Sequence, residues 1–331
     1  MVWSTPFRRR YTVLFEGMKV SLMSNLWDKT IEVSQDQVKD LIFSQFNINV
    51  ESLSIIGEGY DNTAFLINNN LVFRFPHREM GVLCLNNELA ILPFLAKKLS
   101  FPFSHPIFIG EPTDEFPHPF AGYPLLQGST LTSFQQPLMD NVDFAAILGR
   151  WLKELHDVPV IPDHRDHIQG DQKWRLNVQN RETRLKEQTT QYAVEFEEAG
   201  FSIQQLLDTF NKLKENYFIE DRTCYLHGDI YSRHIIVNDQ GMPAGLIDWG
   251  DLHIGHPGID LSCALMIFSN NAFKVFAAQY GGIDLNTLAI AQFRAFCHAA
   301  MALPYTIIME DPAFKAWTIA ALQNVMERIK K

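Results

Sequence analysis

The segment between residues 226 and 251 constrains the fold more than any other. Leu226-His227-Gly228-Asp229-Ile230-Tyr231-Ser232-Arg233-His234 runs into the apolar stretch Ile235-Ile236-Val237. Asn238-Asp239-Gln240-Gly241 then turns the chain toward Gly245-Leu246-Ile247-Asp248-Trp249-Gly250-Asp251. Two short apolar strands around an Asn/Asp/Gly turn predict a hairpin, because those residues tolerate the left-handed backbone of tight turns. Asp229 precedes the first strand and Asp248 ends the second. A chain that forms this hairpin holds both carboxylates at one end of a sheet.

Around that hairpin the chain divides into a sheet-rich and a helix-rich part. Residues 34–46 read as a helix, capped by Ser34, with Val38, Leu41, Ile42 and Phe46 on one face. Residues 53–56 are apolar, Gly57-Glu58-Gly59 breaks them, 64–67 resume, Asn68-Asn69-Asn70 turns, and 71–75 return, which predicts an antiparallel meander. Residues 81–98 carry Leu85, Leu89, Leu92 and Leu95 at helical spacing, and Tyr123-Pro124-Leu125-Leu126-Gln127-Gly128 reads as a strand entering a linker. Beyond it, 142–156 form an amphipathic pattern with Phe144, Leu148, Trp151, Leu152 and Leu155 inward, and helical signals fill 171–220 and 262 onward. The predicted fold class is α+β, a small β-rich lobe before a larger, mainly helical lobe with a cleft between. The expected division is an N-terminal extension over 1–33, poorly ordered or preceding a true start at Met18 or Met23, an N-lobe over 34–127 and a C-lobe over 128–331.

Composition narrows the function classes. Apolar residues make up 47% and charged residues 20%, enough for a sizeable core. Apolar stretches such as Ala264-Leu265-Met266-Ile267-Phe268 fall far short of the ~18 to 20 residues that cross a bilayer, so no membrane partner is expected. With 38 acids against 28 bases the net charge is −10, which argues against nucleic-acid binding and allows a cationic substrate. Cys84, Cys224, Cys263 and Cys297 lie far apart with no CxxC pair, which fits neither zinc nor a disulfide framework and suggests a reduced, cytoplasmic home. Arg8-Arg9-Arg10 precedes an apolar stretch, but Glu16 and Lys19 interrupt it, so a secretion signal is not expected.

The paired carboxylates suit phosphoryl transfer, in which one orients the attacking hydroxyl and accepts its proton while the other holds the magnesium that bridges the phosphates. In His227-Gly228-Asp229, Ile247-Asp248-Trp249 and Asp260-Leu261 the chain resembles the aminoglycoside and macrolide phosphotransferases, which share the protein-kinase-like fold. Val72-Phe73-Arg74-Phe75-Pro76 and Leu152-Lys153-Glu154-Leu155-His156 support the match, which covers roughly residues 35 to 325. The resemblance implies Mg²⁺ and ATP or GTP as co-substrate. It makes Asp229 the catalytic base or hydroxyl-orienting residue and Asp248 the principal magnesium ligand. His234 stands where the family most often has Asn, though some members are similar in having His there. It is carried over as the second metal ligand, an uncomfortable choice because magnesium prefers oxygen.

Arg74 stands where the family usually carries the Lys that pairs with the phosphates, and Glu88 on the following helix is positioned to pair with it. Gly57 and Gly59 would shape the nucleotide loop, and the segment containing Pro124 and Leu126 would bind the purine through backbone groups. His227 reads as a loop-orienting hydrogen-bond donor, and Asp260 as structural support that caps the next helix or pairs with the catalytic loop. His156 reads as a helix C-terminal cap, Cys224 as buried filler, and Trp249 as either core or cleft. Ser232 lacks the GxSxG context of a hydrolase.

The implied activity is transfer of the γ-phosphoryl group onto a hydroxyl of a small molecule, foremost an aminoglycoside-type antibiotic. Asp251, Glu195, Glu197, Glu198, Glu310 and Asp311 could supply acids for such a cation. The apolar stretch Ala299-Ala300-Met301-Ala302-Leu303-Pro304-Tyr305 could face a macrolide or form a core helix, with the core reading favoured. A metabolic acceptor (a sugar, a choline-like alcohol or homoserine) is the other enzymatic alternative. A non-catalytic nucleotide-binding sensor or scaffold is the alternative of another class; retention of both carboxylates argues against it.

Overall fold

The computed structural model describes residues 30–59, 61–134, 140–167, 175–215 and 222–330. Residues 1–29 of the expected extension, and 171–174 and 216–220 of the expected helical region, lie outside them.

The N-lobe is built on a five-stranded antiparallel sheet of β1 (Leu53–Glu58), β2 (Asn62–Ile67), β3 (Leu71–Pro76), β4 (Phe108–Gly110) and β5 (Phe120–Pro124), in the order β1-β2-β3-β5-β4. Helix α1 (Gln35–Phe46) begins with a reciprocal cap in which the Ser34 hydroxyl accepts from the Gln37 amide and the Gln37 side chain accepts from the Ser34 amide. Its buried Val38, Leu41 and Ile42 cover one face of the sheet, where Phe65, Ile67, Phe73 and Phe75 converge with Phe116 and Phe120. Phe75 and Phe120 stack at 4.6 Å. Each fully buried ring contributes roughly 1.5–3 kcal/mol of transfer free energy. Gly122 leaves room for this packing, since a Cβ there would lie 2.6 Å from the Phe73 ring.

Strand period two sends the intervening residues to the opposite face. Register aligns Ala64, Arg74 and Ala121 across three strands, and Val72 with Tyr123, so Arg74 and Tyr123 share the face turned away from α1. The Asn turn forms as the sequence predicts, with Asn68 and Asn69 both left-handed (φ 50° and 59°). Gly57 differs from expectation: the strand continues through Gly57-Glu58 and absorbs the irregularity as a register shift between Ile55 and Gly57. Helix α2 (Glu79–Leu95) follows β3 and buries Leu85, Glu88, Leu92 and Leu95.

The C-lobe begins with β6 (Ser129–Thr130) and α3 (Val142–Asp157), followed by α4 (Pro162–His167), α5 (Val178–Gln191), α6 (Ala193–Glu198) and α7 (Ile203–Glu215). Four short strands come next: β7 (Cys224–Leu226), β8 (Ile235–Val237), β9 (Pro243–Leu246) and β10 (His253–Gly255). Helices α8 (Gly258–Ile267), α9 (Asn270–Tyr280), α10 (Leu285–Ile308) and α11 (Pro312–Lys330) complete it. The predicted hairpin is β8–β9, with β6 as a third strand beside β8, while β7 pairs with β10. Helix α8 is buried along its whole length and packs against α10 and α11. Ala299, Ala300 and Leu303 lie in that core, which is the core-helix reading of the 299–305 stretch.

The connection after α2 ties the lobes together. The Leu246 amide donates to Pro102 O and the Ser104 amide to Leu246 O, and the Phe103 ring packs 5.2 Å from Trp249. No helix among the described residues is long and apolar enough to cross a membrane. All four cysteines are free.

Candidate active site

The loop between β7 and β8 is held from below by one carboxylate. Asp260, on the first turn of α8 and fully buried, accepts from the His227 amide through Oδ2 and the Gly228 amide through Oδ1, both at 2.8 Å. His156 lies 3.3 Å from Asp260 Oδ2 and 3.0 Å from the Tyr280 hydroxyl. Desolvation would raise the Asp260 carboxyl, but His156, His227 and the Gly228 amide together hold it below the usual range. His156 therefore carries a buried partner rather than acting as a simple helix cap, a contact 104 residues apart in sequence that no local pattern shows.

Gly228 is required by geometry. Its φ is +88°, and a Cβ would lie 2.2 Å from Asp251 O. His227 locks the next residue: its Nε2 lies 2.9 Å from Ile247 O, and its Nδ1 accepts the Asp229 amide at 3.3 Å. That pairing requires the Nε2–H tautomer, and burial lowers the ring's pKa, favouring the neutral form. Trp249 is fully buried against the His227 ring at 4.6 Å, which places it in the core.

A chain of charges crosses the cleft from the sheet to the hairpin. Arg74 donates to Glu88 Oε1 at 2.8 Å and to Asp248 Oδ1 at 2.9 Å. Glu88 Oε2 accepts from the Tyr123 hydroxyl at 2.8 Å, so both carboxylate oxygens of this buried residue are occupied. Asp248 has a left-handed backbone (φ 62°), uncommon for a residue with a side chain and tolerated best by Asp and Asn. Desolvation would raise its carboxyl; Arg74 and His234 outweigh that and hold it well below the usual range.

Asp229 faces the helical lobe as well as the hairpin. Its Oδ1 receives Arg294 Nη2 at 3.0 Å and Arg175 Nη1 at 3.2 Å, with His298 Nδ1 at 3.8 Å. His234 Nδ1 lies 3.8 Å from Oδ2 and 2.8 Å from the Asp229 carbonyl. Against desolvation, Arg175, His298, His234 and Arg294 hold the carboxyl well below its ordinary value. Arg175 also pairs with Asp251 Oδ1 at 2.5 Å.

A two-lobed fold with a charge bridge between sheet and hairpin, and a carboxylate loop below it, can be compared with known proteins. The phosphotransferase enzyme family (APH) matches residues 52–296, well over half of the chain. The chain belongs to that family. Among solved structures it is similar to the GDP and kanamycin complex of APH(2")-IIIa, with TM-score 0.64 and 22% identity over 88% of this chain and 98% of that one. Macrolide 2'-phosphotransferase type I matches with TM-score 0.61 and 19% identity over 88% and 98% of the two chains. The streptomycin–ATP–APH(2")-IIa ternary complex follows with TM-score 0.56 and 16% identity over 88% and 97%. At these identities the likeness concerns the fold.

In this phosphotransferase, Asp229, His234, Asp248, Arg74 and Glu88 come together, and His227 and Asp260 lie beneath them. Gly57 and Gly59 lie on and just after β1, where added Cβ atoms would meet nothing nearer than 3.8 Å. Pro124 ends β5. The Leu125 amide is taken by Asn70 O at 2.9 Å, whereas no hydrogen bond occupies the Leu126 amide among the described residues. The Leu126 side chain packs where a Cβ on Gly245 would otherwise sit, 2.6 Å away.

Asp248 and His234 offer a fit for a cation. His234 Nδ1 donates to the Asp229 carbonyl, so the neutral ring turns its Nε2 lone pair toward Asp248 Oδ2, 3.3 Å away. Two acceptors that close require either a proton on the ring, whose pKa is raised by Asp248 against desolvation, or a cation between them. The described residues hold no group of three or more His, Cys, Asp or Glu suited to a metal, so phosphate oxygens and water would complete a magnesium shell, as that ion favours.

Arg175, Arg294 and His298 have no counterpart in the sequence reading. Arg294 and His298 stand four residues apart in the otherwise apolar run Phe293-Arg294-Ala295-Phe296-Cys297-His298-Ala299. Charge at helical spacing inside a core helix is the signal that could have found them. Of the acids considered for a cationic acceptor, Asp251 is paired with Arg175 and Asp311 with Arg233. Glu195, Glu197 and Glu198 lie on α6, which packs against α5 and α7. Ser232 is buried against the Thr132 hydroxyl at 2.6 Å, and Cys224 is buried with its thiol pushed up by desolvation.

Proposed function

We propose that this protein is a magnesium-dependent O-phosphotransferase that moves the γ-phosphoryl group of ATP or GTP onto a hydroxyl of a small molecule. The observation that carries the reading is the joined pair of carboxylates. Asp248 is bridged by Arg74 to Glu88, and Asp229 is held one loop away by His227 and the Asp260-anchored backbone. A nucleotide-binding scaffold would need no second carboxylate built this firmly.

Asp229 would align the acceptor hydroxyl and take its proton as the oxygen attacks the γ-phosphorus and the nucleoside diphosphate leaves. Arg74 would neutralise phosphate charge, with Glu88 and Tyr123 fixing its position. Asp248 and His234 would hold magnesium, which would supply positive charge to offset that of the phosphates. The Leu126 amide is a backbone donor available to a purine. Positioning and preorganised charge supply the rate, with no covalent enzyme intermediate.

Two of the solved relatives are complexes with GDP and kanamycin and with ATP and streptomycin, which supports a nucleotide and a small hydroxylated acceptor here. An aminoglycoside-type acceptor, the leading expectation from the sequence, belongs on the acceptor panel. It draws little support from Asp229's surroundings, where guanidinium groups dominate. The test is magnesium-dependent ATP and GTP consumption by the purified chain across aminoglycosides, macrolides and metabolic alcohols, with products read by mass spectrometry. Asp229→Asn should lower turnover about 10²–10⁴-fold and leave nucleotide affinity within a few-fold. Undiminished turnover in that variant would sink the mechanism.

A further inference from the structure

We infer that Arg294 is a positioning residue for the transfer: it pins Oδ1 of Asp229 and so makes Oδ2 the oxygen that takes the acceptor's hydroxyl proton. This deepens the phosphotransferase reading and rests on it.

The two oxygens of Asp229 have different surroundings. Oδ1 receives Arg294 Nη2 at 3.0 Å and Arg175 Nη1 at 3.2 Å, whereas His298 Nδ1, at 3.8 Å, stays beyond hydrogen-bond distance. Oδ2 accepts no hydrogen bond among the described residues, and His234 Nδ1 lies 3.8 Å from it. The other nitrogen of that ring, Nε2, lies 3.3 Å from Asp248 Oδ2. Oδ2 is therefore the oxygen on the hairpin side, where Asp248 stands, and Oδ1 the oxygen on the side of α10.

A carboxylate does not keep such a division by itself. The last torsion of an Asp side chain is broad and roughly two-fold, so its oxygens exchange unless outside donors hold one of them. The Asp229 amide donates to His227 Nδ1, which fixes the backbone and not the carboxylate. The two guanidiniums on Oδ1 supply that restraint. Arg175 divides itself between Asp229 and Asp251. Arg294 makes the shorter bond to Asp229 and pairs with no other carboxylate among the described residues.

Arg294 stands on a rigid mount. It leaves α10 between Phe293 and Ala295, with Phe296 and Cys297 following, all four buried. Its own side chain is 5% exposed. The buried Nε has no hydrogen-bond partner among the described residues, and an unmet buried donor is unfavourable. Desolvation and Arg175 outweigh the attraction of Asp229 and hold the guanidinium's pKa below its ordinary value. The fold therefore keeps this charge where it stabilises little, as sites that trade stability for function do.

In the transfer, the acceptor oxygen bonds to the γ-phosphorus as its proton passes to Oδ2. The bond from that phosphorus to the β,γ-bridging oxygen breaks, and its electron pair leaves with the nucleoside diphosphate. Oδ1 stays with Arg294 throughout. A base oxygen misplaced by about 1 Å is enough to slow such a step about 10²-fold.

Magnesium-dependent ATP and GTP turnover is measured for the full chain, for Arg294→Met and Arg294→Lys, and for Arg294→Met in the Asp229→Asn background. Water and the aminoglycoside, macrolide and metabolic-alcohol panel serve as acceptors. Arg294→Met should lower kcat about 10²-fold, and Arg294→Lys should recover part of the loss. Calorimetry with a non-hydrolysable nucleotide should give a Kd within about twofold of wild type for both, since the nucleotide does not meet Arg294. In the Asp229→Asn background Arg294→Met should cost no more than about a further twofold, because the residue acts through that carboxylate. Full kcat in Arg294→Met, an equal loss with and without Asp229, or a loss explained by nucleotide Kd overturns the inference while the phosphotransferase reading stands. Crystal structures of the wild-type chain and Arg294→Met give a readout without turnover. The Asp229 carboxylate should hold Oδ1 on Arg294 in the first and turn out of that orientation in the second; an unmoved carboxylate overturns the inference. Should Arg294→Met fail to fold, Arg294→Lys decides, because an ammonium does not repeat the guanidinium contact from the same backbone; full kcat with an unmoved carboxylate then overturns it. Absence of all Asp229-dependent turnover refutes the phosphotransferase reading, and the crystal structures still decide whether Arg294 orients Asp229.

Discussion

Replacing Asp260 by Asn removes one charge and nothing else of size, so it isolates what holds the loop carrying Asp229. In the native chain Oδ1 and Oδ2 accept the Gly228 and His227 amides at 2.8 Å each, with His156 3.3 Å from Oδ2. Asn keeps one carbonyl oxygen and turns an NH₂ toward the other backbone N–H. One charge-assisted hydrogen bond, about 1.5–3 kcal/mol, is lost, and a buried donor is left unmet at about 1–3 kcal/mol. The sum, about 2.5–6 kcal/mol, brackets the ~3–5 kcal/mol usual for breaking a buried pair and corresponds to a fall in Tm on the order of 10 °C. The pH dependence has a definite sign. Asp260's folded pKa is depressed below 3.8, so its contribution is complete above roughly pH 5 and is lost as pH falls through the folded value. Urea denaturation of both proteins should therefore show a wide gap at pH 7 that narrows below about pH 4. A gap under about 1 kcal/mol at neutral pH, or one that widens in acid, would refute the assignment.

Arg74→Lys should raise the KM for nucleotide about tenfold or more, because one ammonium cannot repeat the two-carboxylate bridge to Glu88 and Asp248; steady-state kinetics with ATP and GTP would show it. Tyr123→Phe leaves Glu88 Oε2 buried without its donor and should destabilise by about 1–3 kcal/mol in chemical denaturation. Gly228→Ala meets Asp251 O at 2.2 Å with φ at +88°. It should lower both stability, by about 2 kcal/mol or more, and turnover; a variant that matches wild type in both measurements would contradict the loop geometry.

Much of the site was legible because it is local. The hairpin, Asp229, His234 and Asp248 sit within one stretch of chain, and the turn chemistry of Asn238 to Gly241 sets their relation. The ion pair of Arg74 and Glu88 was also readable, since a strand followed by a helix places positions 14 apart in facing elements. The irregularity near Gly57 was read as a break, because a bulge and a loop share the same glycine signal. His156 was read by its place at a helix end, yet its partner is a core carboxylate 104 residues away. Arg294 reaches Asp229 across 65 residues, and packing of α10 against the loop that carries Asp229, not any motif, makes that contact.

The electrostatic reading of the whole chain and that of the cleft point in opposite directions, and distance decides between them. A net charge of −10 admits a cationic substrate in the far field, but exposed charges beyond about 8 Å are largely screened at physiological salt. Inside the cleft the relevant charges touch Asp229. Two like charges 4 Å apart repel by about 4 kcal/mol at an effective dielectric of 20. An ammonium brought to Asp229 would find the carboxylate already shared by Arg175 and Arg294 and would meet that repulsion from each. The net charge of the chain acts at long range, whereas Arg175 and Arg294, which hold Asp229, act at contact.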